Sequence, residues 1–320
     1  MPKIVAYVPE STPVHGFSAD YLPDGWELDR VDPNVGGIEV LNATVADADY
    51  LMIYSARIDA DTLQAGPNLK LVHLLSAGFD AFPLVEAGEL GIPVCNASGT
   101  NAQGVAEMAL TLMLGLYRHL TWVNEELRDG GWKLKRADGN DSYEIQDKTV
   151  GIIGLGNIGY QVARRALAFD MEVVYHNRKV NDKAEADLGV RFVNMDEVLS
   201  TCDFVALTVP LTPETTNLIR ARELGLMKKT AYLINVARGA VLDTMALYDA
   251  LKSGRIMGAG LDVTEPEPLP RDHPLLELDN VVIMPHLGSC ARQTREAMAR
   301  RTIDNLEAGL AGEPLITAVA

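Results

Sequence analysis

The chain has 320 residues, of which 48% are hydrophobic and 22% charged, and its formal net charge at pH 7 is −16. Such a composition is typical of a globular protein of two domains rather than a disordered one. The acidic excess would repel phosphate backbones and disfavours nucleic acid as a partner. No run of about 18 apolar residues occurs and no signal peptide precedes the first strand-like segment, so we expect a cytoplasmic protein without a membrane partner.

The cysteines and histidines do not suggest a metal or disulfide protein. Cys95, Cys202 and Cys290 are an odd, widely spaced set without a CxxC pair, which fits neither a disulfide framework nor a zinc site. No pair of histidines has metal-ligand spacing. We expect reduced cysteines and no bound metal.

Short β-rich runs alternate with helical patterns along the chain, which indicates parallel sheets with crossover helices. The first series of predicted strands covers residues 3–8, 49–53, 71–75 and 92–95. The second series covers residues 150–153, 172–175, 204–209, 231–236, 258–263 and 281–284. Six strands would complete a doubly wound domain that binds a cofactor.

Two further helices define the predicted domain boundaries. A largely apolar helix at 102–118 lies between the two strand series, and an amphipathic helix at 292–310 follows the last strand without a strand partner of its own. We expect the second helix to return to the first domain. The predicted substrate domain is therefore 1–99 completed by 290–320, with a dinucleotide-binding domain of residues 100–289 inserted into it.

A glycine-rich turn, GLGNIG from Gly154 to Gly159, follows the strand at 150–153 and precedes a predicted helix at 160–169. The first glycine permits the tight turn, Gly156 lets the backbone approach a pyrophosphate, and Gly159 lets the helix pack closely on its strand. Amides at the helix N-terminus, including those of Asn157 and Ile158, would then point at the phosphates. This arrangement predicts a Rossmann fold.

Several motifs in order produce a resemblance that covers nearly the whole chain. They are NAQGVAE at 101–107, the glycine turn, VPLTPET at 209–215, NVARG at 235–239, LDV at 261–263 with Glu267-Pro268, and PHLGS at 285–289. The chain resembles the D-isomer-specific 2-hydroxyacid dehydrogenases of the glyoxylate/hydroxypyruvate reductase type. The resemblance implies a Rossmann doubly wound parallel sheet domain inserted in a second, smaller flavodoxin-like α/β substrate domain. It also implies a homodimer formed through the cofactor domain.

The chemistry of the family agrees with three residues at predicted strand ends. Reduction of a 2-keto acid needs a cation for the carboxylate, and Arg238 offers a planar fork that can bind carboxylate and carbonyl oxygen together. By resemblance His286 is the acid/base, since an imidazole can give and take a proton near neutral pH. Glu267 would accept the second ring N–H of His286 and favour its protonated form. These three residues are the predicted catalytic set.

The resemblance also assigns substrate contacts and narrows the substrate class. Backbone amides of the loop Ser76, Ala77 and Gly78 should complete the carboxylate site, together with Arg238. Members of the family that oxidise formate have glutamine where this chain has Glu267, so the glutamate favours hydroxy acids. Phosphite-oxidising relatives have lysine where this chain has Ala77, which disfavours phosphite.

The predicted cofactor contacts extend over most of the inserted domain. They are Val105, Gly154, Gly156, Asn157, Ile158, Gly159, Asn177, Arg178, Lys179, Val209, Pro210, Thr215, Val236, Ala237, Asp262, Gly288 and Ser289. NAD-preferring members end the second strand with an aspartate that binds the ribose 2′-OH and repels a 2′-phosphate. Here Asn177 occupies that place and two cations follow it. We therefore predict NADP as the preferred cofactor, with NAD possible if the two cations form only a solvated loop.

Two classes of function remain open at this point. One is an NADP-dependent enzyme that reduces glyoxylate, hydroxypyruvate or a similar 2-keto acid, with an NAD(H)-dependent 2-hydroxyacid dehydrogenase of other substrate range as the alternative. The other is an interaction protein on the same fold, like the dinucleotide-sensing corepressors that resemble this family, because a fold alone does not define a function.

Overall fold

A computed structural model of the chain describes residues 1–10, 21–54, 57–132 and 142–319. The chain divides into two compact units: unit 1 is Met1–Asn101 with Cys290–Ala320, and unit 2 is Ala102–Ser289. Each unit has its own sheet, in which the paired strands run parallel.

The strands are, in chain order, β1 (Lys3–Tyr7), β2 (Glu27–Val31), β3 (Tyr50–Ile53), β4 (Leu71–Leu74), β5 (Val94–Asn96), β6 (Thr149–Ile153), β7 (Glu172–His176), β8 (Arg191–Phe192), β9 (Phe204–Leu207), β10 (Tyr232–Asn235), β11 (Gly258–Leu261) and β12 (Val281–Ile283). The α-helices are α1 (Gly37–Val45), α2 (Ala60–Ala65), α3 (Leu84–Glu89), α4 (Ala102–Tyr117), α5 (Leu120–Arg128), α6 (Asn157–Ala168), α7 (Asp182–Leu188), α8 (Met195–Thr201), α9 (Ala221–Leu226), α10 (Thr244–Lys252) and α11 (Arg292–Ala311). Short 3₁₀ turns occupy Gly239–Val241 and Pro274–Glu277.

Unit 1 contains a five-stranded parallel sheet in the order β2-β1-β3-β4-β5. This is the strand order of flavodoxin-like domains, and it confirms the predicted fold class. Strand β2 is absent from the predicted strands; its sequence, ELDRV, buries only Val31. An edge strand that is mostly solvated shows neither alternation nor a continuous apolar run, so its sequence carries little hydrophobic signal.

Unit 2 contains a seven-stranded parallel sheet in the order β12-β11-β10-β9-β6-β7-β8. The doubly wound Rossmann class is confirmed, but the prediction of six strands was wrong. The missing element is β8, a two-residue edge strand, so the segment at 204–209 contains the fourth strand of this sheet rather than the third. The order of the strands reverses between β6 and β9, the place where doubly wound sheets bind ligands.

Helices cover both faces of the sheet of unit 2, which explains why its central strands are apolar throughout. One hydrophobic core joins residues of α4 and α6 to one face, and a second core joins residues of α8, α9 and α10 to the other. All four residues of β9 and of β10 are buried. Strands buried on both faces read as continuous hydrophobic runs, and this made them visible in the sequence.

The structure bears on the expectations for the cysteines, for membrane-spanning helices and for metal ligands. Cys95 and Cys202 are buried free thiols, and Cys290 is exposed. Among residues 1–10, 21–54, 57–132 and 142–319, no helix has the length and apolarity needed to cross a membrane. Nor do these ranges bring together three side chains that could ligate a metal ion.

The C-terminal helix α11 packs on β4 within unit 1, through a buried polar network centred on His73. The hydroxyl of Thr302 already donates to the carbonyl of Met298, so the imidazole Nδ1–H must donate to Thr302 Oγ1, at 3.4 Å. Nε2 of His73 then accepts from Asn305 Nδ2 at 3.2 Å. Burial, with a smaller contribution from Arg301, lowers the pKa of His73 to about 3.

This geometry predicts acid sensitivity. The pKa of His73 in the folded chain lies below the unfolded value of about 6.5, so the unfolded state binds the proton first and stability is lost as pH falls below about 6.5. The loss between pH 6.5 and pH 5 should be about 1 to 2 kcal/mol. His73→Gln, which stays neutral, should flatten this dependence when the free energy of unfolding is measured across that range. Parallel curves for the two proteins would contradict the prediction.

Candidate active site

The predicted site residues of unit 2 follow strands that run parallel, so the loops that carry them share the carboxyl edge of one sheet. The glycine turn follows β6, Asn177 follows β7, Val209 follows β9, Arg238 follows β10, Glu267 follows β11 and His286 follows β12. In open α/β sheets ligands bind at this edge, at the reversal of strand order. Here that reversal places the loops after β6 and β9 side by side.

The three glycines of the turn have the geometry that their spacing predicts. Gly154 has a φ of +106°, and a Cβ there would lie 2.9 Å from backbone atoms of the loop after β9. A Cβ on Gly159 would lie 2.4 Å from the carbonyl oxygen of Gly154. A Cβ on Gly156, by contrast, would meet no atom of the described residues within 4 Å. Gly156 thus leaves open space at the start of α6, where a diphosphate could approach the helix amides.

Two asparagines hold the glycine turn against β7. Asn177 Oδ1 accepts from the N–H of Leu155 at 2.6 Å, and Asn181 Nδ2 donates to the carbonyl of Leu155 at 3.1 Å. Asn177 is therefore at the predicted place, beside the turn. Its side chain also has a structural role that the sequence did not reveal.

Two cations follow Asn177, and both Arg178 and Lys179 are exposed. Glu214, in the loop after β9, lies close enough to Arg178 to be affected by its charge. A hydrogen bond involving Thr212 and, to a smaller extent, the charge of Arg178 hold the pKa of the Glu214 carboxyl below its usual value. The cationic segment after β7 and the loop after β9 are thus electrostatic neighbours.

The loop after β9 is fastened at both of its ends. Thr208 Oγ1 donates to the carbonyl of Gly154 at 2.7 Å and so links the loop to the glycine turn. Thr215 Oγ1 donates to the carbonyl of Pro210 at 2.6 Å and accepts from the N–H of Thr212 at 2.8 Å. The exposed Pro210 and the half-buried Val209 therefore occupy a loop of defined shape.

The loop after β10 presents Arg238 through a buried amide. Asn235 is fully buried; its Oδ1 accepts from the N–H of Ala237 at 3.0 Å and its Nδ2 donates to the carbonyl of Arg238 at 2.9 Å. Val236 and Ala237 are buried, and Arg238 is half-buried with Nη1 donating to the carbonyl of Ala237 at 2.9 Å. A Cβ on Gly239 would lie 2.0 Å from the carbonyl oxygen of Thr264, so only glycine allows this close approach to the loop after β11.

His286 and Glu267 form the hydrogen-bonded pair that the sequence predicted. The Nδ1 atom of His286 lies 2.6 Å from Glu267 Oε1. Because a carboxylate only accepts, Nδ1 carries a proton in this pair, and Nε2 is the other nitrogen of the ring. Both side chains are exposed, so the pair is open to a substrate.

Asp262 holds the loop that carries His286. Its side chain is only 2% exposed; Oδ1 accepts from the N–H of Leu287 at 2.9 Å and Oδ2 from that of Gly288 at 2.8 Å. His286 has a φ of 56°, in the left-handed region. This conformation is uncommon for non-glycine residues, and it persists only where neighbouring structure enforces it.

The remaining predicted residues of unit 2 lie near this loop. A Cβ on Gly288 would lie 2.7 Å from Asp262 Oδ2 and 3.5 Å from Val105, which is buried in the first turn of α4. Ser289 is half-buried and follows directly. The loop 286–289 thus packs against both β11 and α4.

In the predicted substrate loop of unit 1, residues 76–78, all three backbone carbonyl groups accept hydrogen bonds. The carbonyl of Ser76 accepts from the N–H of Ala97 at 2.9 Å, that of Ala77 from Asn96 Nδ2 at 2.7 Å, and that of Gly78 from Ser76 Oγ at 2.8 Å. No acceptor among the described residues receives the N–H of Ala77 or of Gly78. Successive N–H groups without a partner of their own are suited to binding an anion when the backbone turns them toward one point.

Sequence reasoning missed four residues that fasten these loops: Asn96, Asn181, Thr208 and Asn235. A usable signal existed for two of them, because Asn96 and Asn235 are amides at the ends of apolar strands. The other two leave no such signal, since their partners are backbone atoms more than 20 residues away in the chain.

The doubly wound sheet, the glycine turn at its reversal point, and an arginine and an imidazole–carboxylate pair at the same edge together define a class. The class is that of oxidoreductases that use a nicotinamide dinucleotide.

Comparison with known proteins defines the family. Residues 110–288 match the D-isomer specific 2-hydroxyacid dehydrogenase, NAD binding domain family. A glyoxylate reductase of Pyrococcus furiosus is 39% identical over 320 residues, which is 98% of this chain and 93% of that relative. The chain belongs to the D-isomer specific 2-hydroxyacid dehydrogenase family, and it is an NAD(P)-dependent oxidoreductase.

Solved structures agree in fold and differ in cofactor. The NADPH-dependent glyoxylate/hydroxypyruvate reductase of Sinorhizobium meliloti, in complex with NADP and malonate, has a TM-score of 0.85 and 30% identity, covering 100% of this chain and 97% of that one. The NAD-dependent formate dehydrogenase of Staphylococcus aureus, in complex with NAD, has a TM-score of 0.85 and 30% identity, covering 99% of each chain. Similarity alone therefore does not decide between NADP and NAD.

The contrast between two glycines gives a test of the turn. Gly156→Ala adds a methyl group where the protein has room, so the free energy of unfolding should change by no more than about 1 kcal/mol while dinucleotide affinity falls. Gly159→Ala forces a methyl group against the carbonyl of Gly154 and should lower the free energy of unfolding by about 1 to 3 kcal/mol. Thermal unfolding and a dinucleotide titration measure both quantities. Equal destabilisation by the two variants would contradict this reading of the turn.

Proposed function

We propose that the protein reduces glyoxylate, hydroxypyruvate or a similar small 2-keto acid to the D-2-hydroxy acid, with NADPH as the preferred reductant. The observation that carries the proposal is the His286–Glu267 pair, with Nδ1 to Oε1 at 2.6 Å, at the carboxyl edge of a dinucleotide-binding sheet. Glu267 also favours a hydroxy acid over formate, as the resemblance to the family implies.

Each member of the catalytic set has a separate task. A bound nicotinamide dinucleotide supplies the hydride that reaches the carbonyl carbon. His286 holds a proton at Nε2 and gives it to the carbonyl oxygen, while Glu267 accepts the Nδ1–H bond, orients the ring and stabilises its protonated form. Arg238 binds the carboxylate and the carbonyl oxygen with its planar guanidinium. The N–H groups of Ala77 and Gly78 take the substrate carboxylate, and Ser76 shapes their loop.

The residues near the glycine turn are suited to a dinucleotide. Gly154, Gly156, Asn157, Ile158 and Gly159 would hold the diphosphate at the start of α6. Asn177, Arg178 and Lys179 would bind the 2′-phosphate, with Val209, Pro210 and Thr215 forming the loop opposite.

Other predicted residues would contact the nicotinamide end of the cofactor. These are Val105, Val236, Ala237, Asp262, Gly288 and Ser289. Their support is their common position at the carboxyl ends of β10, β11 and β12 and at the start of α4.

The direct experiment is an assay of the purified chain with NADPH and NADH against glyoxylate, hydroxypyruvate and other 2-keto acids, followed by dinucleotide absorbance. Turnover at ordinary enzymatic rates with a small 2-keto acid supports the proposal. Dinucleotide binding without turnover of any 2-keto acid would instead favour a dinucleotide-sensing interaction protein.

Substitutions of His286 and of Glu267 should have two different effects on reduction. His286→Ala should lower the rate of reduction about 10²- to 10⁴-fold by removing the general acid, with dinucleotide affinity nearly unchanged. Glu267→Gln should move the pH optimum of reduction toward acid, because the protonated ring loses its anionic partner. Glu265→Gln, two residues away and also exposed, is the matched control and should leave the profile in place. Full turnover in His286→Ala would exclude the assigned role.

Cofactor preference depends on the segment after β7. A hydrogen bond to a charged group contributes about 1.5–3 kcal/mol. One arginine that bonds to the 2′-phosphate can therefore change the affinity for NADP by roughly one to two powers of ten. Asn177→Asp with Arg178→Ala should therefore reverse the preference toward NADH. Aspartate keeps the oxygen that accepts from Leu155 N–H, so the turn should persist.

The measurement is the ratio of kcat/KM with NADPH to that with NADH, before and after the double substitution. Lys183→Ala, an exposed lysine on α7, is the control and should leave the ratio unchanged. A wild-type protein that already prefers NADH would contradict the proposed preference.

We also propose a homodimer formed through unit 2. Helix α5 buries none of its residues, even though several of them are large and apolar. Leu120, Trp122 and Leu127 are 62%, 44% and 50% exposed. Trp122 also borders a cavity of about 310 Å³ at the amino edge of the sheet, away from the glycine turn. Apolar side chains concentrated on one exposed helix favour burial against a second copy.

Sedimentation tests the dimer. The molecular mass of the wild type from sedimentation should be twice the 34.7 kDa of one chain. Trp122→Glu should sediment as a monomer, because dimerisation would bury the new charge at the contact. Val85→Glu, at an exposed apolar position of α3 in unit 1, should remain dimeric. A monomeric wild type would remove this part of the proposal.

A further inference from the structure

Asn96, the last residue of β5, links two loops of unit 1 through its side chain. The residue is buried, with only 2% of its surface exposed. Its amide donates from Nδ2 to the carbonyl of Ala77 at 2.7 Å and accepts at Oδ1 from the N–H of Ser98 at 3.1 Å. The assignment of the two amide atoms is unambiguous, because a carbonyl can only accept and a backbone N–H can only donate.

The bond to Ala77 determines which way the Ala77–Gly78 peptide faces. In a trans peptide the carbonyl of one residue and the N–H of the next point in opposite directions. With the Ala77 carbonyl directed at Asn96, the N–H of Gly78 is directed away from it. That N–H is one of the two for which the described residues supply no acceptor.

The backbone of Asn96 is itself anchored, which gives the amide a fixed base. Its N–H donates to the carbonyl of Thr317 at 3.2 Å, and Thr317 Oγ1 donates back to its carbonyl. Asn305 on α11 in turn accepts from the N–H of Thr317 at 3.3 Å. The amide therefore acts from a rigid position rather than from a mobile loop.

We propose that Asn96 is a positioning residue for substrate binding, which holds the Ala77–Gly78 peptide so that the Gly78 N–H faces the substrate carboxylate. This inference rests on the proposed function, in which the loop 76–78 binds that carboxylate. Without the amide the peptide can rotate, and the carboxylate then meets a carbonyl oxygen in place of a donor.

Two substitutions isolate the bond. Asn96→Asp keeps the size of the side chain and the acceptor for Ser98, but replaces the donor to Ala77 with an oxygen that repels the carbonyl. Asn96→Leu keeps a similar volume and removes both bonds. Since the carboxylate contact is made equally in the ground state and the transition state, its loss should raise KM for the keto acid and leave kcat within about threefold.

The expected rise in KM for glyoxylate is about 10- to 100-fold, as for the loss of a hydrogen bond to a charged group. The dissociation constant of NADPH, measured by fluorescence titration, should stay unchanged. Thr317→Val is the matched control: it removes the hydroxyl bonds to the Asn96 carbonyl and from Asn305 Nδ2, but keeps the backbone bond from Asn96 N–H to the Thr317 carbonyl and both bonds of the Asn96 amide. It should lower the thermal midpoint and leave KM near the wild-type value.

The outcomes separate the two proposals. A wild type that reduces glyoxylate while both Asn96 variants keep its KM overturns the positioning role alone. An equal rise in KM for Thr317→Val would also overturn it, because general loosening of unit 1 would then explain the effect. A wild type that reduces no 2-keto acid refutes the proposed function, and the positioning role falls with it.

Discussion

The arrangement of the proposed catalytic side chains depends on one buried carboxylate. Asp262 accepts the N–H groups of Leu287 and Gly288 and so maintains a loop in which His286 has a left-handed backbone. That conformation costs about 1–3 kcal/mol for a residue with a Cβ, so it persists only where neighbouring bonds enforce it. The left-handed turn fixes the direction of the His286 ring, and the ring can then reach Glu267. The hydrogen bond between His286 and Glu267 follows from the buried carboxylate, although the two groups are on different loops.

The same device recurs at other strand ends. Asn235 accepts an N–H and donates to a carbonyl in the loop that carries Arg238, and Asn96 does so in unit 1 for the loops at 76–78 and 96–98. Asn177 accepts the N–H of Leu155 in the glycine turn. Where a parallel strand ends, the ladder no longer satisfies the backbone polar groups, and buried ones must find other partners. Short amides and carboxylates supply those partners and at the same time define loop shape. The residues suited to chemistry are therefore free to face outward.

Local charge outweighs net charge in this molecule. The chain has a net charge of −16, yet the edge of its dinucleotide-binding sheet presents Arg178, Lys179 and Arg238. Because salt screens charges over about 8 Å at physiological ionic strength, distant carboxylates contribute little at such a site. Nearby ones do contribute: a hydrogen bond involving Thr212 and, to a smaller extent, the charge of Arg178 lower the pKa of Glu214 in the loop after β9. Under the proposed function, cofactor choice at this edge is a balance among a few neighbours.

The elements that the sequence predicted well are those whose signal is local. The central strands of unit 2 are buried on both faces and read as apolar runs, and the glycine turn carries its own conformational requirements at Gly154 and Gly159. The strands β2 and β8 were missed because edge strands are short or solvated. Helix α6 begins at Asn157, three residues before the predicted start, since glycine has a poor helix propensity and conceals the first turn.

By itself the sequence determined the family and the two parallel α/β folds, and it predicted the residues suited to hydride-transfer chemistry, because motif and hydrophobic period are properties of neighbouring residues. Only the tertiary structure decided that Asn96, Asn235 and Asp262 hold the loops that carry those predicted residues. Their partners are set by strand register and by loops that approach within hydrogen-bond distance. The bond from Asn96 to Ala77 and that from Gly288 to Asp262 join residues 19 and 26 positions apart, and no local pattern encodes such a distance.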